Sequence, residues 1–580
     1  MHRSPTMGRM RIALAQLNPT VGDIPGNTRL ILEAIDRARE EAADLLITPE
    51  LAVLGYPPRD LLLREGIIQA CEEAVEQIAR AVHEAGGAGG GPTVIVGHPR
   101  QTRHGRRGVR NSASVCHGGQ VVAVHDKRLL PGYDVFDEDR YFDPGTETTV
   151  VEVAGRRLGI LICEDLWRAA DVDLRSTYEF DPVAEAVEAG AEALIALNAS
   201  PFVRGKFARH VRYTSELAQR TQRPIVMVNQ TGANDDLVFD GRSMIVHADG
   251  TLRAMLPAFE ACTRTVELAG EAIVPVDELL GADSESLDST WNALVIGTRD
   301  YIRKTGHTRA IIGLSGGIDS ALVAAITAQA IGADNLIGVR MPSRFSSPGS
   351  LSDAQETIER LGIGEAHEIP IREAHKLMQS ILDPALGDVT GTLADENVQA
   401  RLRGVILMTI SNATGGLVMS TSNKSEMAVG YSTLYGDMCG AVAPIADLLK
   451  VDVYALSRWV NDHHDTLGFV QPPIPENSIT KPPSAELRAN QTDQDSLPEY
   501  EVLDQIVERF VERDQSVERI IEETGIDATV VEKFTRMIDF AQYKRDQAVV
   551  IPKVSPRAFG RGRVMPIVMK PLPVRISQQA

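Results

Sequence analysis

Two α/β domains in series are what the sequence predicts, and three observations predict them. Short β-rich runs alternate with amphipathic helical or looped segments over residues 10–270. The stretch EAIVPVDELLGADSESLDS, 271–289, is acidic and aperiodic and reads as a linker. A second alternation occupies 290–580. A chain of 580 residues is also too long for one hydrophobic core.

In the first half, RIALAQLN, DLLITPE, TVIVGHP, SASVCHGGQVVAVHD, RLGILICED, ALIALNAS, PIVMVNQ and SMIVHADG read as strands. Residues 27–43 read as a helix, with Leu30, Ile31, Ala34, Ile35 and Ala38 at helical spacing. GGAGGG, Gly86 to Gly91, reads as a loop. In the second half a helix over 290–304 leads to the strand RAIIGLS, then a helix over 319–331 and the strand NLIGVRMP. A helix over 351–361, the strand HEIPI, a helix around 395–412 and the strand GLVMST follow. Residues 342–352 and 475–498, both rich in Ser and Pro and the second also holding Asn, read as mobile loops of the kind that close over a site.

A net charge of −20 argues against a general nucleic-acid binder, which needs a basic face. No apolar run is long enough to span a bilayer, and MHRSPTMGRM lacks the apolar core of a signal peptide. Five scattered cysteines with no CxxC pair point to a reducing compartment, so a cytoplasmic location is expected.

Three strand ends in the first half carry reactive side chains: Glu50 in LLITPEL, Lys127 in VVAVHDKRLLPG and Cys163 in LGILICEDLW. Singly, each has an ordinary reading: a packed thiol, a solvated carboxylate, a surface charge. Together they make a coherent set. A thiol is a strong nucleophile once a base takes its proton, Glu50 could be that base, and Lys127 could face a developing oxyanion. The reaction expected is acyl transfer from a carbon–nitrogen bond through a thioester.

The same motifs, TPEL, HDKRLLP…F.E…F.PG and ICED, resemble the nitrilase superfamily of amidases over roughly 10–260. The resemblance implies an α-β-β-α sandwich with Cys163 as nucleophile, Glu50 as general base and Lys127 as the third member. It also implies a glutamine pocket at Tyr133, Ser200 and Lys206.

In the second half RAIIGLSGGIDSALVAAI reads strand, glycine-rich turn, helix. Ser315, Gly316, Gly317, Ile318, Asp319 and Ser320 form a turn where free N–H groups and the helix dipole favour an anion such as pyrophosphate. It lacks the GK[ST] ending of a Walker A loop. GLSGG also fits G-x-S-x-G, the hydrolase nucleophile elbow, and a ligand-free tight turn is a third reading.

SGGIDS resembles the pyrophosphate-binding motif of the ATP-pyrophosphatase class, which implies a Rossmann-like parallel sheet. DENVQARLRG, STSNKSEMAVGYSTLYGDMCGAVAPIADLLK and PENSITKPPSAELRANQTDQDSLP are similar to NAD synthetases, over about 290–570. The order of the halves resembles the glutamine-dependent members of that family. The resemblance implies that Ser315 to Ser320, Thr421 and Lys450 contact ATP, and that Asp319 and Glu426 hold Mg²⁺. It implies that Asn397, Arg401, Glu426, Asp437 and Lys553 contact deamido-NAD. From the residues alone, ENVQARLRG is also a plain solvated helix face and Lys553 lies in a basic tail that would suit a surface segment. Glutamine, ATP and deamido-NAD are the small-molecule partners implied, with a homo-oligomer and an internal ammonia channel. The alternatives are another ATP-dependent amidotransferase or tRNA-modifying enzyme with a nitrilase-type ammonia source, or a scaffold with an inactive amidase half.

Overall fold

The computed structural model describes residues 10–86, 91–168, 178–269 and 287–570. The chain divides into two compact units, Met1–Ser289 and Thr290–Ala580. Most of the linker expected at 271–289 and of the GGAGGG loop falls outside the described residues; 287–289 already belong to the helix Leu287–Lys304.

The first unit is built on two six-stranded sheets. One runs β14 (Cys262–Glu267), β1 (Arg11–Gln16), β2 (Leu45–Ile47), β3 (Thr93–Gln101), β4 (Val109–His117), β5 (Gln120–Asp126). The other runs β13 (Leu252–Met255), β12 (Met244–Val246), β9 (Ile225–Asn229), β8 (Ala193–Asn198), β7 (Arg156–Ile162), β6 (Val150–Val153). A small hairpin pairs β10 (Thr231–Asn234) with β11 (Leu237–Asp240). Alternation along the strands sorts side chains between layers. Ile12, Leu14, Leu45 and Ile47 join the core with Ile160 and Ile162 of the second sheet. Ala13, Ala15 and Leu46 face Ile31, Ile35 and Ala38 of α1 (Ile24–Glu40) and Ile78 of α2 (Ile67–Gly86). The second sheet covers its far side with Val183 and Ala186 of Pro182–Glu188, and Val211 and Leu217 of Lys206–Thr221. The result is the α-β-β-α layering expected.

The second unit centres on a parallel four-stranded sheet in the order β17 (Glu365–Glu368), β16 (Leu336–Arg340), β15 (Ala310–Gly313), β18 (Leu417–Met419). The chain reverses its direction of travel across the sheet between β15 and β18. At such a switch point the loops beyond the strand ends part and leave a crevice. A helical layer built on Leu503, Ile506, Val507, Val531 and Phe534 packs beside Met427 and Ala428.

Three expectations need correction. The strand expected at HEIPI lies earlier, at Glu365–Glu368, because pairing with β16 sets the register and Pro370 has no N–H to donate. Residues 348–352 of the expected 342–352 loop are the first turn of the helix Pro348–Leu361, capped by the Ser347 side chain with Pro348 at its start. Inside 475–498, Glu476–Thr480 is a short helix.

Candidate functional site

Two side-chain clusters stand out, one in each unit. In the first, β2, β5 and β7 each end in one of the residues expected from sequence. The turn carrying Glu50 presses against β3, where a Cβ on Gly97 would lie 2.5 Å from the Pro49 carbonyl oxygen, so the approach needs glycine. Lys127 Nζ sits 2.7 Å from Glu50 Oε1 and 2.8 Å from the Glu138 carboxylate. Asn111 Nδ2 donates to Glu50 Oε1 at 2.7 Å, and the Ala199 N–H donates to Oε2 at 3.1 Å. The Tyr56 hydroxyl donates to Glu138 Oε1 at 2.9 Å. All of these side chains are buried.

Cys163 follows β7 with φ +45 and ψ −97, a backbone geometry costly for a residue with a side chain. Burial foremost, then the negative charge of Glu50, raise the thiol well above its usual range; Lys127 pulls the other way. A resting thiol therefore needs a base at the moment of attack, rather than existing as a preformed thiolate. Burial would lower Lys127, but Glu138 and Glu50 outweigh it and hold the ammonium charged. Burial raises Glu138 to about 7, with Lys127 opposing and Glu50 adding to the rise.

Of the ICED pair, Asp165 is structural. It accepts from the N–H groups of Ile162, Arg128 and Leu129 and so ties the Lys127 loop to the Cys163 turn. Glu164 accepts from the hydroxyls of Tyr133 at 2.9 Å and Tyr178 at 3.0 Å. Lys206 Nζ donates to Ser200 Oγ at 2.9 Å, and both line a small cavity of about 20 Å³ with His210 and Asn229. Ser200 and Lys206 thus come together, whereas Tyr133 lies with Glu164. Glu138, Tyr56 and Asn111 had no role in the sequence reading; Glu138 was visible only as the E of the F.E motif.

In the second unit a cavity of about 450 Å³ opens beyond β15, β16 and β18. Ser315, Gly317, Ile318, Asp319, Ser320, Thr421, Glu426, Asp437 and Lys450 of the expected residues line it. Gly316 sits behind the turn with φ +81, where a Cβ would lie 2.2 Å from the Ser350 carbonyl oxygen. Lys450 Nζ is 2.5 Å from Asp319 Oδ2 and 3.4 Å from Glu426 Oε1. Burial raises Glu426 to about 8, with Lys450 opposing and Asp319 adding to the rise. Arg403, unremarked in the sequence, also lines the cavity.

The SNKSE run earns its polar residues one at a time. Asn423 donates to Asp319 at 3.1 Å and accepts from the Glu426 N–H. Lys424 is buried against Asp447, Glu512, Ser555 and the Arg557 carbonyl. Ser425 donates to Asp504 and accepts from the Lys450 N–H. The 475–498 segment is fastened over the cavity: Ser478 donates to the Gly316 carbonyl, and Lys481 binds Asp353 at 2.8 Å. Glu486 accepts from Ser347 N and Ser350 Oγ.

Besides Gly316, three expected residues do not line the cavity. Asn397 accepts from the hydroxyl of Thr433, which does line it, and Arg401 Nε donates to the Leu434 carbonyl. Lys553 is buried, not a surface residue, and its ammonium donates to the carbonyls of Ser555 and Pro556.

The Mg²⁺ expected at Asp319 and Glu426 fits this donor set. Mg²⁺ takes one or two carboxylates together with phosphate oxygens and water, and two carboxylates flank the glycine-rich turn. Among the described residues no cluster of three or more His, Cys, Asp or Glu forms an all-protein metal site. No helix among them is long and apolar enough to cross a membrane.

Two family models match the chain: carbon-nitrogen hydrolase over residues 11–276 and NAD synthase over residues 290–548. The glutamine-dependent NAD(+) synthetase of Xanthomonas campestris pv. campestris is 44% identical, covering 98% of this chain and 99% of the relative. The structure of a glutamine-dependent NAD+ synthetase from Acinetobacter baumannii in complex with ADP is 36% identical, with a TM-score of 0.72, over 96% of this chain and 98% of that one. A glutamine-dependent NAD(+) synthetase from Cytophaga hutchinsonii shares the fold, with a TM-score of 0.78 at 22% identity over 97% and 98% of the two chains.

Proposed function

The chain belongs to the glutamine-dependent NAD(+) synthetases, and from that premise we propose which residues perform each half of the reaction. Cys163 attacks the side-chain amide carbon of glutamine. Glu50 takes the thiol proton and delivers it to the departing ammonia. Lys127 and the backbone N–H after Cys163 stabilise the oxyanion, and water releases glutamate from the thioester. Tyr133, Ser200 and Lys206 hold the amino acid, the ammonium pairing with its α-carboxylate. The observation that carries this reading is the buried Glu50–Lys127 pair that acts electrostatically on a thiol in strained backbone.

At the second site the nicotinate carboxylate of deamido-NAD attacks the α-phosphorus of ATP and pyrophosphate leaves. Ammonia from the first site then displaces AMP and gives NAD. The Ser315–Ser320 turn cradles the phosphates, with Thr421 and Lys450 on ATP. Mg²⁺, when held by Asp319 and Glu426, supplies neutralisation of phosphate charge. Asp437, Glu426, Asn397 and Arg401 are assigned to the dinucleotide. Lys553 joins them only if its ammonium leaves the two carbonyls it serves. The segment over the cavity keeps water from the adenylate. Ammonia is mostly ammonium at neutral pH and easily lost to solvent, which favours its direct internal transfer.

The same reading puts the enzyme in the cytoplasm with its soluble substrates, as a homo-oligomer. Leu377 and Ile381, with Val405 and Met408 on a neighbouring helix, present apolar surface that a second copy would cover. Sedimentation velocity with Ile381→Glu tests that assignment. The central test is NAD formation from deamido-NAD, ATP and Mg²⁺ with glutamine or ammonium chloride. Wild type works with both donors and Cys163→Ala with ammonium only. A mutant that still uses glutamine would overturn Cys163 as the nucleophile, and no NAD from either donor would overturn the choice of acid.

A further inference from the structure

Asn111 lies on β4 and is buried. Its Nδ2 donates to Glu50 Oε1 at 2.7 Å, while its Oδ1 is buried with no partner among the described residues. Burying an amide costs free energy unless its atoms find partners. What Asn111 gains is the bond to Glu50. Its backbone carbonyl also accepts from the Lys127 N–H at 2.8 Å, so one residue locates both partners of the ion pair.

The consequence falls on the two oxygens of Glu50. Oε1 accepts from both Lys127 and Asn111 at 2.7 Å. Among the described residues Oε2 accepts only from the Ala199 N–H, at 3.1 Å. Two strong donors, one of them charged, occupy the lone pairs of Oε1, whereas Oε2 has a single, longer bond and keeps a lone pair free for a proton. We propose that Asn111 is a positioning residue that locks the Glu50 carboxylate so that Oε2 exchanges the proton with the thiol and the departing amine. The proposal rests on Glu50 being the general base. The other charged or titratable groups acting on this carboxylate are Lys127, Glu138, Tyr56 and Cys163.

The test is Asn111→Leu, close in size and without the unpaired acceptor, with Asn111→Ala beside it. Both lose a donor to the ionised carboxylate. The acid limb of the glutaminase kcat/KM profile therefore moves to higher pH, and its plateau falls by about 10²-fold. The loss is in kcat more than KM, because the contact is to the base and not to glutamine. The thermal midpoint of Asn111→Leu stays level or rises. An unmoved acid limb, or a fall in activity that tracks a fall in Tm, would show a merely structural residue and end the proposal. Glu50→Gln separates the two ideas. If that variant still hydrolyses glutamine, the mechanism beneath the proposal is wrong. If it is inactive while the Asn111 variants match wild type, only the role of Asn111 is lost.

Discussion

Each half of the chain buries a lysine between two carboxylates, and the surroundings of the two clusters differ. Around Lys127 the side chains of Glu50 and Glu138 are 0% and 5% exposed, and Tyr56, Asn111 and the Ala199 N–H complete the shell. Around Lys450 the side chains of Asp319 and Glu426 are 19% and 18% exposed and face a cavity of about 450 Å³. The first cluster is closed by protein donors, as the proposed proton transfer to a small amide requires. The second leaves its carboxylates open to the cavity, where the proposed cation and phosphates would enter. Lys424 with Asp447 and Glu512 repeats the pattern a third time without lining that cavity, and there it fastens the segment at Ser555. The motif of lysine between acids is thus structural or chemical according to what it is open to.

The comparison breaks most severely at Lys127. Lys127→Met strands two buried carboxylates, which costs about 3–5 kcal/mol where the partner charge is deleted. Glutaminase activity falls about 10³-fold as the oxyanion also loses its cation. Thermal unfolding and glutamate release measure the two effects, and an unchanged Tm would show that the charges are not mutually dependent. Lys450→Met is milder in stability, because Asp319 and Glu426 reach solvent through the cavity. NAD synthesis from glutamine and from ammonium falls by about 10²-fold alike, the scale of a single lost charge contact in a transition state. Glutamate release persists. Unequal loss with the two donors would place Lys450 outside the ATP step.

The sequence exposed the ends of strands better than what lies between them. Glu50, Lys127 and Cys163 were legible because each follows an apolar run and reactive side chains after strands are conspicuous. Asn111 was not, because it stands one residue before the run SASVCHGGQVVAVHD that reads as sheet, and its partner is 61 residues away. Gly316 and Asp319 were legible from one local turn. The 475–498 segment read as mobile because Ser, Pro and Asn dominate it, yet Ser478, Lys481 and Glu486 tie it to Gly316, Asp353 and Ser350. Such bonds join distant stretches and leave no local period. Lys553 shows the converse: a basic tail looks exposed until the chain folds back and Asp447 takes the Val554 and Ser555 N–H groups.

A gentler probe of the open cluster is Gly316→Ala. The left-handed φ and the Ser350 carbonyl 2.2 Å from the new Cβ push the turn out of place without removing a charge. KM for ATP rises by about 10-fold, a shift of one lost hydrogen bond, while glutamine hydrolysis is untouched. A normal KM would show that the turn relaxes freely and is not the phosphate cradle.

The smallest effect separates the clusters by pH. Glu426 is raised from 4.5 to about 8, by burial first, so the folded protein keeps a proton that the unfolded chain releases. Its contribution to stability is complete below pH 4.5 and is lost as pH rises through 8. Glu138 has the same sign, but its window closes at about 7. Between pH 7 and 8, without ATP or metal, the fall in Tm owed to this pair therefore belongs to the open cluster. Glu426→Gln removes that part of the slope, a difference of about 1–2 °C between wild type and mutant. Mg²⁺ with ATP flattens the wild-type slope in the same window, because a cation beside the carboxylate favours its ionised form. It leaves the slope below pH 7 from the closed cluster in place. Identical slopes for wild type and Glu426→Gln would mean that Glu426 is already ionised in the empty cavity, and the two clusters would then differ only in access.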